Sequence, residues 1–308
     1  MNRKFLLAID LGGTNLKIAL LNLTFRVISK EIVSTKRFKK NKDLISGIIY
    51  SIEKIIQINN LNTKDILGVG LGLPGPIDVE KGIVHFFPNI PGWHEVNLKK
   101  ILKNKLKFPA FLDNDANLMC LAEHRLGAAR GLKNALCLTL GTGVGGGLII
   151  LNKLYRGSTF AAGEIGHMPI NEHGPFCNCG GVACLETYIG NRAILRDARR
   201  TFKRDISLEE LSALAKKQNR EAKKIWHKVG ERLGIALTGV VNLLNLDAVV
   251  IGGGIALAGK ILFDAIKDTV KYRAMSVQAK HVRILKAKLG NDAGLIGAAL
   301  LVKEGVSS

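Results

Sequence analysis

Two short segments of this chain share one pattern, in which an apolar run leads into a glycine-rich turn and then into a second apolar run. The first is "AIDLGGTNLKIAL" (residues 8–20), and the second is "LTLGTGVGGGLII" (residues 138–150). Each predicts a β-hairpin with a glycine loop at its tip. The chain alternates between helical and strand patterns after each hairpin, so the two hairpins indicate related α/β units, one in each half.

The patterns that follow each hairpin predict the main helices and strands. Residues 43–56 place their apolar side chains on one helix face, and "ILGVGLGLPGPID" reads as a buried strand that ends in a Pro/Gly turn. A chain of 308 residues also exceeds what one hydrophobic core usually organises, which predicts two domains. The remaining predicted elements are a strand in "PAFLDND", a helix in "ANLMCLAEHRLG", helices within 207–245, a strand in "DAVVIGGG" and a last helix in "AGLIGAALLVKEG".

The chain is strongly basic, with 45 Lys and Arg against 25 Asp and Glu. Such a balance suits nucleic acid, an anionic membrane or an acidic substrate. The lysines gather at 36–42, 99–107 and 215–224 without interleaved aromatic residues, so we expect a solvated basic surface that attracts an anionic nucleotide, and no nucleic-acid partner. No apolar run is long enough to predict a membrane span. The start "MNRKFLLAIDL" is too short in apolar residues for a signal peptide, so a cytoplasmic location is expected.

The glycine loops are candidate phosphate sites, because glycine exposes backbone N–H groups and allows a ligand to approach closely. Neither loop has the spacing of a P-loop or of a dinucleotide fingerprint, and each alone could be a plain tight turn. Asp10 lies at the mouth of the first loop, where it could bind Mg²⁺ directly or through water, or could simply cap the turn. The candidate nucleotide-binding residues are Asp10, Gly12, Gly13, Thr14, Gly141, Thr142, Gly143, Gly253 and Gly254.

Three of the five cysteines lie within eight positions of the segment "HGPFCNCGGVACLE" (173–186). A disulfide framework suits an odd total poorly, and a cysteine cluster in a reducing compartment is more often a metal site. A structural zinc site needs four ligands, so Cys177, Cys179 and Cys184 require one more, for which His167 and His173 are both candidates. The alternative is three packed thiols without a metal.

Taken together, six motifs in this order resemble the ROK family (repressor, open reading frame, kinase), and its glucokinases most of all. They are "LAIDLGGTNLKIAL", "GLPGPID", "DNDAN", "LGTGVGGG", "GEIGHM" and "CNCGGVACLE". The resemblance implies an actin-like, hexokinase-type (ribonuclease H-like) α/β fold with two domains and a cleft between them. It implies a small domain of residues 1–112 plus 293–308, a large domain of residues 113–292 that carries the zinc loop, and a homodimer or homotetramer.

The resemblance also implies the sugar site. Asp115 matches the catalytic base, which accepts the proton of the attacking hydroxyl group during phosphoryl transfer. Asp113 is a competitor, although the family often has Glu or another polar residue there. Without the resemblance, "DND" would more often be an Asx turn or a helix cap. The residues that match sugar ligands are Asn89, Asn114, Asp115, Glu164, His167 and Glu186.

The same resemblance implies that His167, Cys177, Cys179 and Cys184 hold a structural zinc ion, with His173 as a bystander. Glu164 lies three residues before one of these ligands, and Glu186 lies two residues after another. The zinc would therefore orient groups that bind sugar hydroxyls. A closed site of this kind has no open position for an activated water.

The function that the resemblance implies is Mg²⁺- and ATP-dependent phosphorylation of a hexose, with glucose converted to glucose 6-phosphate. N-acetylglucosamine, N-acetylmannosamine, mannose and fructose are alternative acceptors, and polyphosphate is an alternative donor. A sugar-responsive regulator and an inactive sugar sensor are the other classes. Regulators of the family carry a helix-turn-helix ahead of the glycine loop, and Asp10 leaves no room for one, so a kinase is expected.

Overall fold

The computed structural model describes residues 4–87 and 93–307. The chain divides into two compact units. Unit 1 comprises Met1–Ala122, Arg156–Ala162 and Asn291–Ser308, and unit 2 comprises Glu123–Tyr155 and Gly163–Gly290. This division assigns residues 113–122, 156–162 and 291–292 to unit 1, while the domain boundaries given above remain a prediction.

Unit 1 contains a five-stranded sheet with the strand order β3-β2-β1-β4-β8. The first three strands are antiparallel neighbours, and the last two run parallel to β1. Its elements are β1 (Phe5–Leu11), β2 (Asn15–Asn22), β3 (Val27–Ser34), α1 (Asn41–Ile58), β4 (Ile66–Leu73), β5 (Ile77–Asp78), β6 (Ile83–Phe86), β7 (His94–Asn97), α2 (Leu98–Leu106), β8 (Ala110–Asn114), α3 (Asp115–Arg125, which continues into unit 2) and α10 (Ala293–Ser307).

Unit 2 contains a second five-stranded sheet, with the strand order β11-β10-β9-β12-β13. Here β9, β10 and β11 are antiparallel neighbours, and β12 and β13 run parallel to β9. Its elements are β9 (Ala135–Leu140), β10 (Val144–Ile150), β11 (Lys153–Tyr155), α4 (Glu186–Ile189), α5 (Asn191–Phe202), α6 (Leu208–Lys216), α7 (Arg220–Leu244), β12 (Ala248–Gly252), α8 (Lys260–Arg273), α9 (Ser276–His281) and β13 (Arg283–Lys286).

The two sheets have the same strand order and the same strand directions. Each begins with a glycine-tipped hairpin, β1–β2 in unit 1 and β9–β10 in unit 2. The prediction of two related α/β units is therefore confirmed, as are the helices and strands predicted from the patterns. The short sheet β5-β6-β7 was not predicted, because its strands of two to four residues are too short to show a period.

The sheet of unit 1 packs against α1 on one face and against α10 on the other, and this packing holds the end of β1, where Asp10 lies. Successive side chains of a strand point to opposite faces. Leu7 and Ile9 accordingly pack in the cluster that contains the apolar side of α1, whereas Ala8 packs against α10. The contact with α10 is close enough that a Cβ atom on Gly70 of β4 would lie 2.0 Å from the Ala298 carbonyl oxygen.

Within the described residues, no helix has both the length and the apolar character needed to cross a membrane.

Candidate functional site

The first glycine loop joins β1 to β2 and is closed by a hydrogen bond from the backbone N–H of Gly12 to the carbonyl oxygen of Asn15, at 2.9 Å. The Thr35 hydroxyl donates to the carbonyl oxygen of Gly13 at 2.9 Å, which holds the tip of the loop. Gly13 and Thr14 are exposed. The two hydrogen bonds thus hold the backbone of the loop, while Gly13 and Thr14 at its tip are open to solvent.

Several of the candidate glycines are not required by the protein's own packing. Gly12, Gly141 and Gly254 do not adopt a positive φ, and a Cβ atom would meet only an ordinary contact at Gly12 and nothing within 4 Å at the other two. Gly253 differs, because its φ is +85° and a Cβ atom there would lie 2.2 Å from the Leu140 carbonyl oxygen. The open space at the first three positions is what a closely approaching ligand would need.

Asp10 lies at the end of β1, directly opposite Lys17 in the antiparallel register. The Lys17 ammonium group is 2.8 Å from Asp10 Oδ2 and also donates to the Asn291 carbonyl oxygen at 3.3 Å. The Asp10 carboxylate also lies against the first turn of α10, where a Cβ atom on Gly294 would lie 2.9–3.1 Å from its atoms. Positive charge and the positive end of a helix dipole therefore face this carboxylate. The Lys17 partner was not predicted, although the hairpin pattern itself pairs these two positions.

The junction of β8 and α3 contains Asp113, Asn114 and Asp115 without any intervening loop. Asn114 caps α3, because its Oδ1 accepts from the backbone N–H of Ala116 at 2.9 Å. Asp115 is the first residue of the helix, and its Oδ1 also accepts from Ala116 N at 2.9 Å. The helix-cap interpretation of this motif therefore holds for Asn114, and it is compatible with a ligand role since a capping asparagine keeps two N–H donors.

Asp113 is fully buried and surrounded by donors. Its Oδ1 accepts from the backbone N–H of Asn114 at 2.8 Å and from the Asn117 amide at 2.9 Å. Its Oδ2 accepts from Arg156 Nε at 2.8 Å and lies 2.7 Å from Arg156 Nη2. Sequence reasoning missed Arg156, since nothing in the segment "LYRG" indicates a partner 43 residues away. Asp113 is thus occupied by contacts within the protein, and Asp115, half-buried, is the more accessible carboxylate.

The second glycine loop joins β9 to β10 and is braced by the chain around α4. Glu186 Oε2 accepts from the backbone N–H of Val144 at 2.8 Å, and the backbone N–H of Asn191 donates to the Gly141 carbonyl oxygen at 2.9 Å. A Cβ atom on Gly143 would lie 2.7 Å from Glu186 Oε2. Glu186, predicted as a sugar ligand, is therefore also a partner of the candidate phosphate loop.

The third glycine segment follows β12. Gly253 adopts its positive φ directly after the strand, and Gly254 begins a 3-10 helix, Gly254–Ala258. This turn lies beside the end of β9, since β12 pairs with β9 from Ala248 to Gly252. Within unit 2, two of the three candidate glycine segments therefore follow adjacent parallel strands.

A cluster of four side chains contains every predicted zinc ligand. The ligand atoms of His167, Cys177, Cys179 and Cys184 all lie within 4.8 Å of one another. Cys177 Sγ is 3.6 Å from His167 Nδ1, and Cys179 Sγ is 3.7 Å from Cys184 Sγ, so the cysteines are not disulfide-bonded. His173 is exposed and does not belong to the cluster.

This donor set fits zinc. Four nitrogen and sulfur ligands of one tetrahedral zinc ion lie about 3.3–3.8 Å from one another. Two pairs of the cluster, Cys177 with His167 and Cys179 with Cys184, already have that spacing. Burial raises the pKa of Cys184 to about 12, whereas the backbone N–H of Gly181 lowers the pKa of Cys179. An ion that replaced the thiol protons would supply the positive charge that a buried thiolate needs.

Two predicted sugar ligands border this cluster. Glu164 precedes the 3-10 turn Ile165–His167, and its Oε2 lies 3.9 Å from His167 Nε2, on the ring nitrogen opposite the one that faces Cys177. Glu186 begins α4, two residues after Cys184. Asn89, the remaining predicted sugar ligand, lies outside the described residues.

The chain belongs to the ROK family, whose family model matches residues 6–305. It is 33% identical to a glucokinase of Halalkalibacterium halodurans, over 99% of this chain and 96% of that protein. It is 34% identical to a glucokinase of Thermotoga maritima, over 97% of each. It is also 31% identical to a xylose repressor of Caldicellulosiruptor bescii, over 96% of this chain and 77% of the repressor.

Solved structures confirm the predicted actin-like, hexokinase-type α/β fold. A ROK hexokinase of Thermus thermophilus superposes with a TM-score of 0.83 at 32% identity, over 98% of this chain and 99% of that one. A ROK glucokinase of Streptomyces griseus, solved with glucose and AMPPNP, gives 0.84 at 28%, over 98% and 100%. A ROK transcriptional regulator, described as a homolog of the E. coli MLC protein, gives 0.91 at 25%, over 98% and 78%.

Proposed function

We propose that this protein is an ATP-dependent hexose kinase that phosphorylates glucose to glucose 6-phosphate. The observation that carries the proposal is the open space over Gly12, Gly141 and Gly254, where neither φ nor packing within the protein demands glycine. In a turn, glycine at such a position leaves room for a ligand to approach the backbone, whose N–H groups are suited to phosphate. The relatives named glucokinase support the same conclusion.

In the proposed reaction, the glycine loops hold the phosphates of ATP and Asp115 accepts the proton of the attacking hydroxyl group. The choice of Asp115 over Asp113 is supported by the buried contacts that occupy Asp113. Asp10 would hold Mg²⁺ directly or through water, and Mg²⁺ neutralises the charge on the transferring phosphoryl group. Most of the catalysis is then positioning and electrostatic stabilisation, with one proton accepted by a carboxylate.

The sugar would be held by Asn89, Asn114, Asp115, Glu164, His167 and Glu186. The Cys₃His cluster would hold a structural zinc ion, which would fix the segments that carry Glu164 and Glu186. Glucose is favoured as the acceptor because the two glucokinases named above match this chain over 96–97% of their own length. The proposed donor is ATP, and the proposed assembly is a homodimer or homotetramer.

The test is a panel of hexoses with Mg·ATP, scored by kcat/KM. It should contain glucose, mannose, fructose, N-acetylglucosamine and N-acetylmannosamine, with polyphosphate as a second donor. Glucose with ATP should give the highest value. A folded, zinc-containing preparation that phosphorylates none of these sugars would overturn the proposal, and a higher value for an N-acetylhexosamine would change the substrate but keep the reaction.

A sugar-responsive regulator is the second candidate, because a xylose repressor matches 96% of this chain and the chain carries a net charge of +20. The match covers 77% of the repressor. A gel-shift assay with random and genomic DNA separates the two candidates. Binding specific to a genomic fragment and altered by a sugar would support the regulator, while weak binding that falls steeply with salt would reflect basic surface alone.

A further inference from the structure

The carboxylate of Asp113 joins the start of α3 to a residue far along the chain. Among the described residues it contacts four N–H donors, two from the α3 side and two from the guanidinium group of Arg156. The Asp113 side chain is 1% exposed, and that of Arg156 is 27% exposed. A buried carboxylate needs a compensating charge, and Arg156 is the cation that contacts it.

Arg156 belongs to a short segment with an unusual place in the chain. Residues Arg156–Ala162 form part of unit 1, although the chain on both sides of them belongs to unit 2. The segment closes on itself through a hydrogen bond from the backbone N–H of Ala162 to the Arg156 carbonyl oxygen, at 3.0 Å. It then leads directly into Gly163 and Glu164. Arg156 is therefore the residue at which this closed segment is anchored to Asp113.

The contacts of Asp113 shape the place where Asp115 lies. Asn117, 2% exposed, donates its amide to Asp113, and its own Oδ1 has no partner among the described residues, so Asp113 is what fixes the amide. The backbone N–H of Asn114 is held by the same oxygen. These two contacts lie one residue before and two residues after Asp115. A displaced Asp113 would therefore shift the first turn of α3 and the carboxylate at its start.

From this network we infer that Arg156 is a positioning residue for the reaction, and that it acts on Asp115 through Asp113 and the first turn of α3. The inference rests on the proposed function, in which Asp115 is the base. Arg156 itself need not touch sugar or nucleotide. Its planar group supplies two N–H donors to one carboxylate oxygen, a geometry that a lysine ammonium group does not reproduce.

Five variants test the inference, and one of them, Arg156→Ala, leaves room for an added guanidinium ion. Arg156→Met removes the charge and keeps the length of the side chain, and Arg156→Lys keeps the charge but loses the planar pair of donors. Arg156→Met combined with Asp113→Asn removes both charges and leaves an oxygen acceptor for Asn114 and Asn117. Lys153→Met is the matched control, since Lys153 is an exposed cation three residues earlier.

The first readout separates kcat from KM, with glucose and Mg·ATP as substrates. We expect Arg156→Met to lower kcat by about 10²-fold, the usual consequence of a base misplaced by about 1 Å, with KM for ATP unchanged. Arg156→Lys should recover part of kcat, and the double variant should recover more than Arg156→Met alone. Added guanidinium should raise kcat of Arg156→Ala, because the ion can occupy the vacated place. Lys153→Met should match the wild type.

A wild-type kcat in Arg156→Met or, if that variant does not fold, in Arg156→Lys would overturn the inference and leave a purely structural ion pair. The inference would also be overturned if guanidinium did not raise the kcat of Arg156→Ala and if this variant lost affinity for ATP and for sugar equally.

The second readout does not depend on activity and keeps this inference separate from the proposed kinase function. Hydrogen exchange of the backbone amides of Asn114 and Ala116 should accelerate in Arg156→Met and stay unchanged in Lys153→Met, while amides of unit 2 keep their wild-type rates. If the wild type phosphorylates no hexose, the proposed function fails, and unchanged exchange at these two amides would then overturn the positioning of the junction independently.

Discussion

Replacing Gly143 by alanine tests whether the second glycine loop depends on Glu186. A Cβ atom at this position would lie 2.7 Å from Glu186 Oε2, closer than Cβ atoms come to other atoms in real structures. The carboxylate must then move, which weakens the 2.8 Å hydrogen bond that it accepts from the backbone N–H of Val144. A hydrogen bond to a charged group contributes about 1.5–3 kcal/mol. We therefore expect Gly143→Ala to weaken the binding of AMPPNP, by at most about 150-fold if the whole hydrogen bond is lost and by less if the flexible Glu186 side chain shifts and keeps part of it.

Gly141→Ala is the matched control for thermal stability in the same loop, because a Cβ atom there meets nothing within 4 Å in the protein. Thermal unfolding and calorimetric titration with AMPPNP are the measurements. Gly143→Ala should lower both Tm and affinity, whereas Gly141→Ala should keep the wild-type Tm and can lose affinity only through its methyl group against the ligand. Glu186→Gln, which keeps an oxygen acceptor without the charge, should fall between the wild type and Gly143→Ala. Wild-type Tm and affinity in Gly143→Ala would refute the role given to Glu186.

The other predictions concern the metal cluster and the packing of α10. Cys179→Ser should lose the bound zinc. Because Glu186 follows Cys184 by two residues and holds Val144, the variant should also bind both AMPPNP and glucose more weakly in calorimetry. Wild-type AMPPNP affinity without zinc would show that the loop does not depend on the metal. Zinc affinity, measured by chelator competition between about pH 6 and 8, should rise about tenfold per pH unit for each thiol proton that zinc displaces. Burial raises the pKa of Cys184 to about 12 and so keeps this thiol protonated in the metal-free protein. A zinc affinity that does not change with pH would exclude proton displacement. Gly70→Ala should lower the free energy of unfolding in urea by about 1–3 kcal/mol, because its Cβ atom would lie 2.0 Å from the Ala298 carbonyl oxygen. Gly239→Ala on α7, where a Cβ atom has open space, should be neutral or stabilising by up to about 1 kcal/mol. Equal effects of the two substitutions would contradict the close packing of α10.

The repeated fold could be predicted from the sequence because its signals are local. Each glycine-tipped hairpin is contained in about a dozen residues, and a helix such as α1 shows its buried face within its own sequence. The sheet orders needed the structure, since β1 pairs with β4 and β9 pairs with β12 across long stretches of chain. Local periodicity contains no information about which distant strand becomes the neighbour.

The candidate site divides in the same way. The cysteine cluster could be predicted because three of its ligands are close in sequence. The spacing left His167 and His173 open, the family resemblance favoured His167, and the structure places His167 with the three cysteines. The contacts from Arg156 to Asp113 and from Val144 to Glu186 join residues more than 40 positions apart, so no sequence pattern indicated them. The pair of Lys17 and Asp10 is the exception, since the register of a hairpin that turns at Gly13 and Thr14 places these two residues opposite each other.

The most direct test of the proposed kinase compares the wild type with Asp115→Asn in Mg·ATP-dependent phosphorylation of glucose, with AMPPNP binding measured on the same preparations. Loss of a general base typically lowers the rate by about 10²–10⁴-fold. We predict that the wild type forms glucose 6-phosphate and that Asp115→Asn loses kcat in this range while its affinity for AMPPNP is unchanged. A wild-type turnover rate in Asp115→Asn would contradict the assignment of the base, and a folded wild-type protein that transfers no phosphoryl group to glucose or to any other hexose would contradict the proposed function itself.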